Sequence, residues 1–315
     1  MKAGTVAVRR ILSIEGEKGM GNLVQLNGRM MEVLQKGRTG TPILIMPGMG
    51  YSFEEWFNVT EVLCETHKVI LFHRPGLGAS ELGTEPRTTA AAARDAKNLL
   101  EVLEVTEPVL LIGHSYGGLC AQHFSKLFPQ QVKGLLLVDS TSDSLEKLDD
   151  LPDLAEDASD DKWLEECGKF AELPESELKK IIRPMLSENQ KKLPTPIQQR
   201  LIEFQQKPNL YKAMKTEVEN WGADAKTIKN LGSLSRLPLV VIGRDKKYAL
   251  KQGIAEGWPE AELMMQEHLW HELIQEQSTL SENSELVFAE GAGHMVHLDR
   301  PDLVIAMAQK LTKTF

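Results

Sequence analysis

Three features of the sequence predict an α/β fold with a mostly parallel sheet. Short, branched apolar runs recur at 43–46, 69–72, 109–112, 135–138, 239–242 and 286–288, each the length of a buried strand. Stretches with helical spacing separate most of them, and that alternation implies a parallel sheet covered on both faces. Every residue with suggestive chemistry falls just after one of these runs. Ligands on such sheets bind outside the carboxyl ends of the strands.

In chain order, 22–26 and 30–35 flank Asn27-Gly28, a two-residue hairpin signal. Residues 5–14 are expected to supply one further strand before them. Strand 43–46 runs into Pro47-Gly48-Met49-Gly50, a loop of chain breakers, and then a helix over 53–64. Strand 69–72 leads into His73-Arg74-Pro75-Gly76-Leu77-Gly78-Ala79-Ser80. Pro86 then opens a helix with Ala96, Leu99, Leu100 and Leu103 on one face. Strand 135–138 ends at Asp139.

Strand 109–112 delivers Gly113-His114-Ser115-Tyr116-Gly117-Gly118, and Cys120, Phe124, Leu127 and Phe128 follow at helical spacing. A serine between two glycines at a strand-to-helix junction is the G-x-S-x-G elbow. So tight a turn leaves almost no room for a Cβ beside the serine. It holds the hydroxyl clear of the sheet, above a helix N-terminus that attracts negative charge. The bland alternative is a serine that only caps the helix.

The rhythm breaks between about 144 and 235. There the chain has acidic clusters (Asp149-Asp150, Asp160-Asp161), prolines and helical stripes such as Ile197, Leu201, Phe204 and Leu210, Met214, Val218, Trp221. This predicts a helical insertion, 141–235, long enough to be a lid or cap, between core segments 1–140 and 236–315. The alternation resumes with strand 239–242 and Gly243-Arg244-Asp245, a helix from near Pro259, strand 286–288, Gly291-Ala292-Gly293-His294, and a closing helix from Pro301.

Composition narrows the function classes. The 315 residues are 42% hydrophobic and 26% charged, ordinary for a globular protein, and the net charge of -9 argues against nucleic-acid or acidic-membrane binding. No apolar run reaches membrane-span length, and Met1 to Ile14 lacks a secretory h-region. Cys64, Cys120 and Cys167 lie far apart without metal-like spacing, as expected for reduced thiols in a cytoplasmic protein. No metal and no organic cofactor is expected. A small-molecule substrate is the expected partner, and the oligomeric state is unreadable.

Serine needs a base within hydrogen-bond reach. His294, late in the chain after the final strand, fits the order serine, acid, histidine that accompanies such an elbow. His297 is a decoy three residues on, and His73 and His114 are read as structural. Two strand-end aspartates, Asp139 and Asp245, are candidates for the acid that orients the imidazole.

Together, Pro47-Gly48-Met49-Gly50, 73–80, the Ser115 elbow and Gly293-His294 with Pro301 resemble the α/β-hydrolase superfamily over roughly 22–140 and 236–315. The resemblance implies an eight-stranded sheet with one antiparallel strand near its start. It also implies an oxyanion hole from the backbone N–H groups of Met49 and Tyr116. Most members place the acid after the later strand in a Gly-x-x-Asp pattern, from which Gly243-Arg244-Asp245 is one residue short. Some use the earlier position, which Leu137-Val138-Asp139-Ser140-Thr141 resembles, so the reading leans to Asp139 with Asp245 open.

The expected activity is hydrolysis of a small ester, thioester or amide through an acyl-enzyme. Ser115 speaks against the branches with an aspartate nucleophile, namely dehalogenases and epoxide hydrolases. Carbon–carbon bond hydrolysis and cofactor-free perhydrolase or haloperoxidase chemistry use the same residues, and a non-catalytic ligand-binding protein is the reading from another class. Within the insertion, Trp163, Met185, Phe204 and Trp221 are candidates to line an apolar pocket or to fill the insertion's own core.

Overall fold

Asn27 and Gly28 both take positive φ, 52° and 82°, and turn β2 (Asn22–Leu26) into β3 (Arg29–Lys36) as the Asn-Gly pair predicts. The structure is a computed structural model that describes residues 11–12, 21–151 and 160–314. Before the hairpin, β1 (Ile11–Leu12) pairs antiparallel with β2. The rest of the strand expected over 5–14 lies outside the described residues.

The other strands are β4 (Ile43–Met46), β5 (Val69–Phe72), β6 (Val109–His114), β7 (Val132–Val138), β8 (Leu239–Arg244) and β9 (Ser284–Ala289). Their order across the sheet is β1-β2-β3-β5-β4-β6-β7-β8-β9. From β5 to β9 every pairing is parallel, whereas β3 is antiparallel to both its neighbours. Strands β2 to β9 are the expected eight, and β1 adds a two-residue edge that is also reversed.

Alternation along the strands divides the core. Leu44, Met46, Ile70, Phe72, Leu111, Leu135 and Leu137 point to one face, where α2 (Thr89–Val102) and α3 (Tyr116–Leu127) cover them. Ile43, Ile45, Val69, Leu71, Leu110 and Ile112 point to the other, under α1 (Phe57–Leu63) and the closing α11 (Pro301–Lys313). Helix α2 starts at Thr89 rather than at Pro86, because the Thr88 hydroxyl accepts from Ala91 N–H and caps it there.

Between β7 and β8 the described residues form α4 (Asp160–Glu172), α5 (Glu175–Ile181), α6 (Thr195–Gln205) and α7 (Pro208–Asn230), without a strand. They bury a cluster of their own, with Cys167, Leu178, Phe204, Leu210 and Tyr211 packed on Leu77 of the core and flanked by Trp163 and Phe170. Trp221 packs against the main core instead. Met185 is 91% exposed, so the structure overturns it as a pocket residue: nothing apolar among the described residues covers it.

After β8 come α8 (Lys246–Ala255) and α9 (Glu260–Gln277), and after β9 the single turn α10 (Val296–Asp299). All three cysteines are free thiols. Among the described residues no helix is long and apolar enough to cross a membrane.

Candidate active site

The β6–α3 junction holds Ser115 at φ 52° and ψ −128°, a region that costs a non-glycine residue a strained backbone. The turn closes only because its neighbours lack side chains. A Cβ on Gly113 would lie 2.6 Å from Gly117 O, and one on Gly117 would lie 2.1 Å from Met46 O. The elbow is tied to the end of β7, since Ser115 N–H donates to Val138 O at 3.3 Å and Thr141 N–H donates to Ser115 O at 3.1 Å. Ser115 itself stays partly exposed.

Asp139, the residue after β7, is buried and also has positive φ, 39°. His294 Nδ1 donates to its Oδ2 at 2.6 Å. Three more donors converge on the same carboxylate: Arg244 N–H on Oδ1 at 3.1 Å, Arg244 Nη1 on Oδ2 at 3.2 Å, and Trp270 Nε1 on Oδ1 at 2.9 Å. Burial opposes ionisation here, but the Arg244 charge and the His294 hydrogen bond outweigh it and hold the carboxyl well below the usual range.

Asp245 is turned the other way. Its Oδ1 accepts from Lys247 N–H at 2.9 Å and Tyr248 N–H at 3.3 Å, and its Oδ2 from Gly291 N–H at 3.0 Å. It is the N-cap of α8. The structure brings Asp139, not Asp245, to His294.

The serine elbow and the His294 loop are in direct contact. His114 donates from Nε2 to the His294 carbonyl at 2.9 Å, and the two rings lie 4.8 Å apart. Tyr51 leans over both rings, 5.5 Å from His114 and 6.2 Å from His294. Burial, reinforced by the neighbouring His294, pushes His114 down to about 3, so it stays neutral. His297 stacks on Trp56 at 4.3 Å with both ring nitrogens lacking a hydrogen-bond partner, and burial holds it neutral too. His73 lies elsewhere: it accepts from Phe53 N–H through Nε2 and therefore donates from Nδ1 to Glu32.

The loop 47–50 runs past the elbow. A Cβ on Gly48 would lie 3.1 Å from Ser115 Cβ. Buried Arg74 fixes this loop by donating from Nη1 to Pro47 O at 2.6 Å and from Nη2 to Gly48 O at 3.1 Å. Glu217 of α7 holds the guanidinium in turn, at 2.6 and 2.9 Å. The Arg74 guanidinium also sits 5.1 Å over the Tyr116 ring.

No role was expected for Arg244, Glu267, Glu217 or Tyr51. Arg244 carried one signal, a guanidinium in the strand-end segment that resembles a shortened Gly-x-x-Asp pattern. Trp270 was legible only as one more apolar residue on α9. Among the described residues no group of acidic, histidine or cysteine side chains could hold a metal ion.

The sequence pattern of the alpha/beta hydrolase family matches residues 43–307. This chain belongs to that family. Among curated relatives, RutD of Azorhizobium caulinodans is 34% identical over 99 residues, which are 31% of this α/β hydrolase but only 37% of RutD. Two solved structures share the fold. The epoxide hydrolase CorEH matches with a TM-score of 0.62 at 19% identity, covering 93% of this chain and 98% of that one. A thermophilic esterase from Thermogutta terrifontis matches with a TM-score of 0.59 at 20% identity, covering 98% and 99%. Identities this low carry the fold alone, so the chemistry of this hydrolase rests on its own residues.

Proposed function

We propose that this α/β hydrolase is a serine hydrolase that cleaves a small ester, thioester or amide. The observation that carries the reading is the 2.6 Å hydrogen bond from His294 to Asp139, together with a strained serine elbow whose His114 donates to the His294 carbonyl. With Nδ1 donating to Asp139, Nε2 is the nitrogen left to accept a proton. Ser115 attacks the carbonyl while His294 takes the hydroxyl proton. That proton then goes to the departing alcohol, thiol or amine. In the second half, His294 deprotonates a water that attacks the acyl-serine, and Ser115 recovers its proton as the acid leaves.

The charge that builds on the carbonyl oxygen needs donors aimed in advance. Tyr116 is the first residue of α3, so its N–H has no acceptor within the helix. The trans peptide between Gly48 and Met49 points its carbonyl at Arg74, which turns Met49 N–H to the opposite side. These two N–H groups are the proposed oxyanion hole. The insertion 141–235 is the proposed cap, closing over the core segments 1–140 and 236–315 and setting the acyl or alcohol selectivity.

The test is labelling with a fluorophosphonate, combined with hydrolysis of p-nitrophenyl esters of increasing acyl length. Stoichiometric labelling at Ser115, lost in Ser115→Ala together with turnover, is the expected result. Folded protein that takes no label and turns over no ester would overturn the reading in favour of a binding protein.

A further inference from the structure

Of the four donors on Asp139, only Arg244 brings a fixed charge. Both edges of its guanidinium are engaged: Nη1 goes to Asp139, while Nε and Nη2 go to Glu267 of α9 at 3.0 and 2.6 Å. Its plane lies 4.6 Å over the ring of Trp270, whose indole N–H binds the same carboxylate. A planar fork held on both edges and one face has a single orientation. We propose that Arg244 is a positioning residue for the Asp139–His294 pair. It fixes the rotamer of the carboxylate and offsets its charge, so that hydrolysis persists to lower pH than the pair alone would allow. The proposal deepens the serine-hydrolase reading and rests on it.

A general base works only while unprotonated. A negative charge beside it favours the protonated form, and a positive one opposes it. The groups around the His294 ring come from every neighbouring element. Asp139 follows β7, Trp270 comes from α9 and His114 from β6, while Arg244, which ends β8, and its partner Glu267 of α9 stand behind Asp139. Tyr51 comes from the loop after β4 and His297 from α10. Behind the loop, Asp299 accepts from Gly293 N–H at 2.9 Å and Asp245 accepts from Gly291 N–H. Tyr51 is a neutral phenol, pushed up to about 12 by burial and then by Glu55, and His114 and His297 are neutral imidazoles. Arg244 is therefore the positive side chain bound to the acid partner of His294, and it engages the carboxylates of Asp139 and Glu267.

The experiment follows kcat and KM for p-nitrophenyl acetate from pH 5 to 9 in Arg244→Met, Arg244→Lys and Glu267→Gln. In Arg244→Met the acid limb of kcat/KM is expected to move up by about half to one pH unit. At pH 6 kcat should fall about tenfold with KM little changed. Arg244→Lys restores the limb but only part of kcat, because the charge returns without the fork. Glu267→Gln leaves the arginine charge less compensated and moves the limb the other way. Both Arg244→Met and Glu267→Gln break the same ion pair, so a merely structural role would move both profiles alike.

An unmoved limb in Arg244→Met, or movement of the two variants in the same direction, overturns the proposal. Should Arg244→Met fail to fold by circular dichroism, the opposite shift in Glu267→Gln decides alone, and its absence overturns the proposal. Asp139→Asn run alongside separates the two levels. Retained turnover there sinks the Asp–His reading itself. Lost turnover with wild-type profiles in the arginine variants sinks only the role of Arg244.

Discussion

His294 Nδ1 and Asp139 Oδ2 lie 2.6 Å apart although 155 positions separate them in the chain. Asp245, closer in sequence, accepts instead from backbone N–H groups at the start of α8 and at Gly291. Asp139→Asn should therefore lower kcat about 10³–10⁴-fold for an activated ester. Asp245→Ala should leave kcat within about twofold and cost about 1 kcal/mol of stability through the lost cap. Steady-state kinetics and urea titrations read both, and equal mild losses of activity would assign the role to neither.

Arg74 and Glu217 are both buried, and their ion pair joins the loop 47–50 to α7. Glu217→Gln leaves a guanidinium in the interior without its counter-charge. The expected cost is about 3–5 kcal/mol by urea unfolding. As the loop loosens, kcat should fall more than KM rises, because the carbonyls that orient Met49 N–H are no longer held. A variant with wild-type stability would show that the pair contributes nothing net.

Two glycines should respond in opposite directions. Gly117→Ala forces a Cβ to within 2.1 Å of Met46 O and 2.4 Å of Pro47 O, both backbone atoms that cannot step aside. The variant is expected to lose ester turnover and fluorophosphonate labelling. Gly222 is an exposed position within α7 with nothing within 4 Å of an added Cβ. Gly222→Ala should raise stability by about 0.5–1 kcal/mol, measured as a higher urea midpoint.

Glu55 gives a pH signature. Burial, opposed by a hydrogen bond from Gln190, raises its carboxyl to about 8, and its Oε2 has no hydrogen-bond partner. Between about pH 4.3, where an unfolded glutamate titrates, and pH 8 the folded state keeps a proton that the unfolded chain has released. Stability therefore falls as pH rises through that window. Glu55→Gln cannot ionise, so it should flatten the decline by about 3 kcal/mol between pH 5 and 8. Parallel curves for variant and wild type would remove Glu55 as the source.

Strands, hairpin and elbow were legible because each is written locally, in apolar runs of strand length, in Asn27-Gly28, and in glycines flanking Ser115. Helix α8 was not, because Gly253 is its one buried residue and no apolar stripe marks it. The choice between Asp139 and Asp245 was also hidden. Strands β7 and β8 are parallel neighbours in register through Val138 and Ile242, so both aspartates emerge at one edge of the sheet. Side-chain direction separates them, and that depends on where Trp270, Arg244 and the first turn of α8 come to rest. The long-range ion pairs Arg74–Glu217 and Arg244–Glu267 leave no periodic trace at all.

Ser115 and Asp139 belong to one strand–helix–strand unit, β6–α3–β7, and the helices α4 to α7 are threaded in only after it. The chain leaves β7 and returns on the adjacent parallel strand β8. Such a segment can be exchanged for one of different length and shape without altering the spacing of nucleophile and acid. The graft carries a fixed requirement at α7. Any replacement for α7 has to present an anion to Arg74, or the arginine has to be exchanged along with it, because the core carries the other half of that bond.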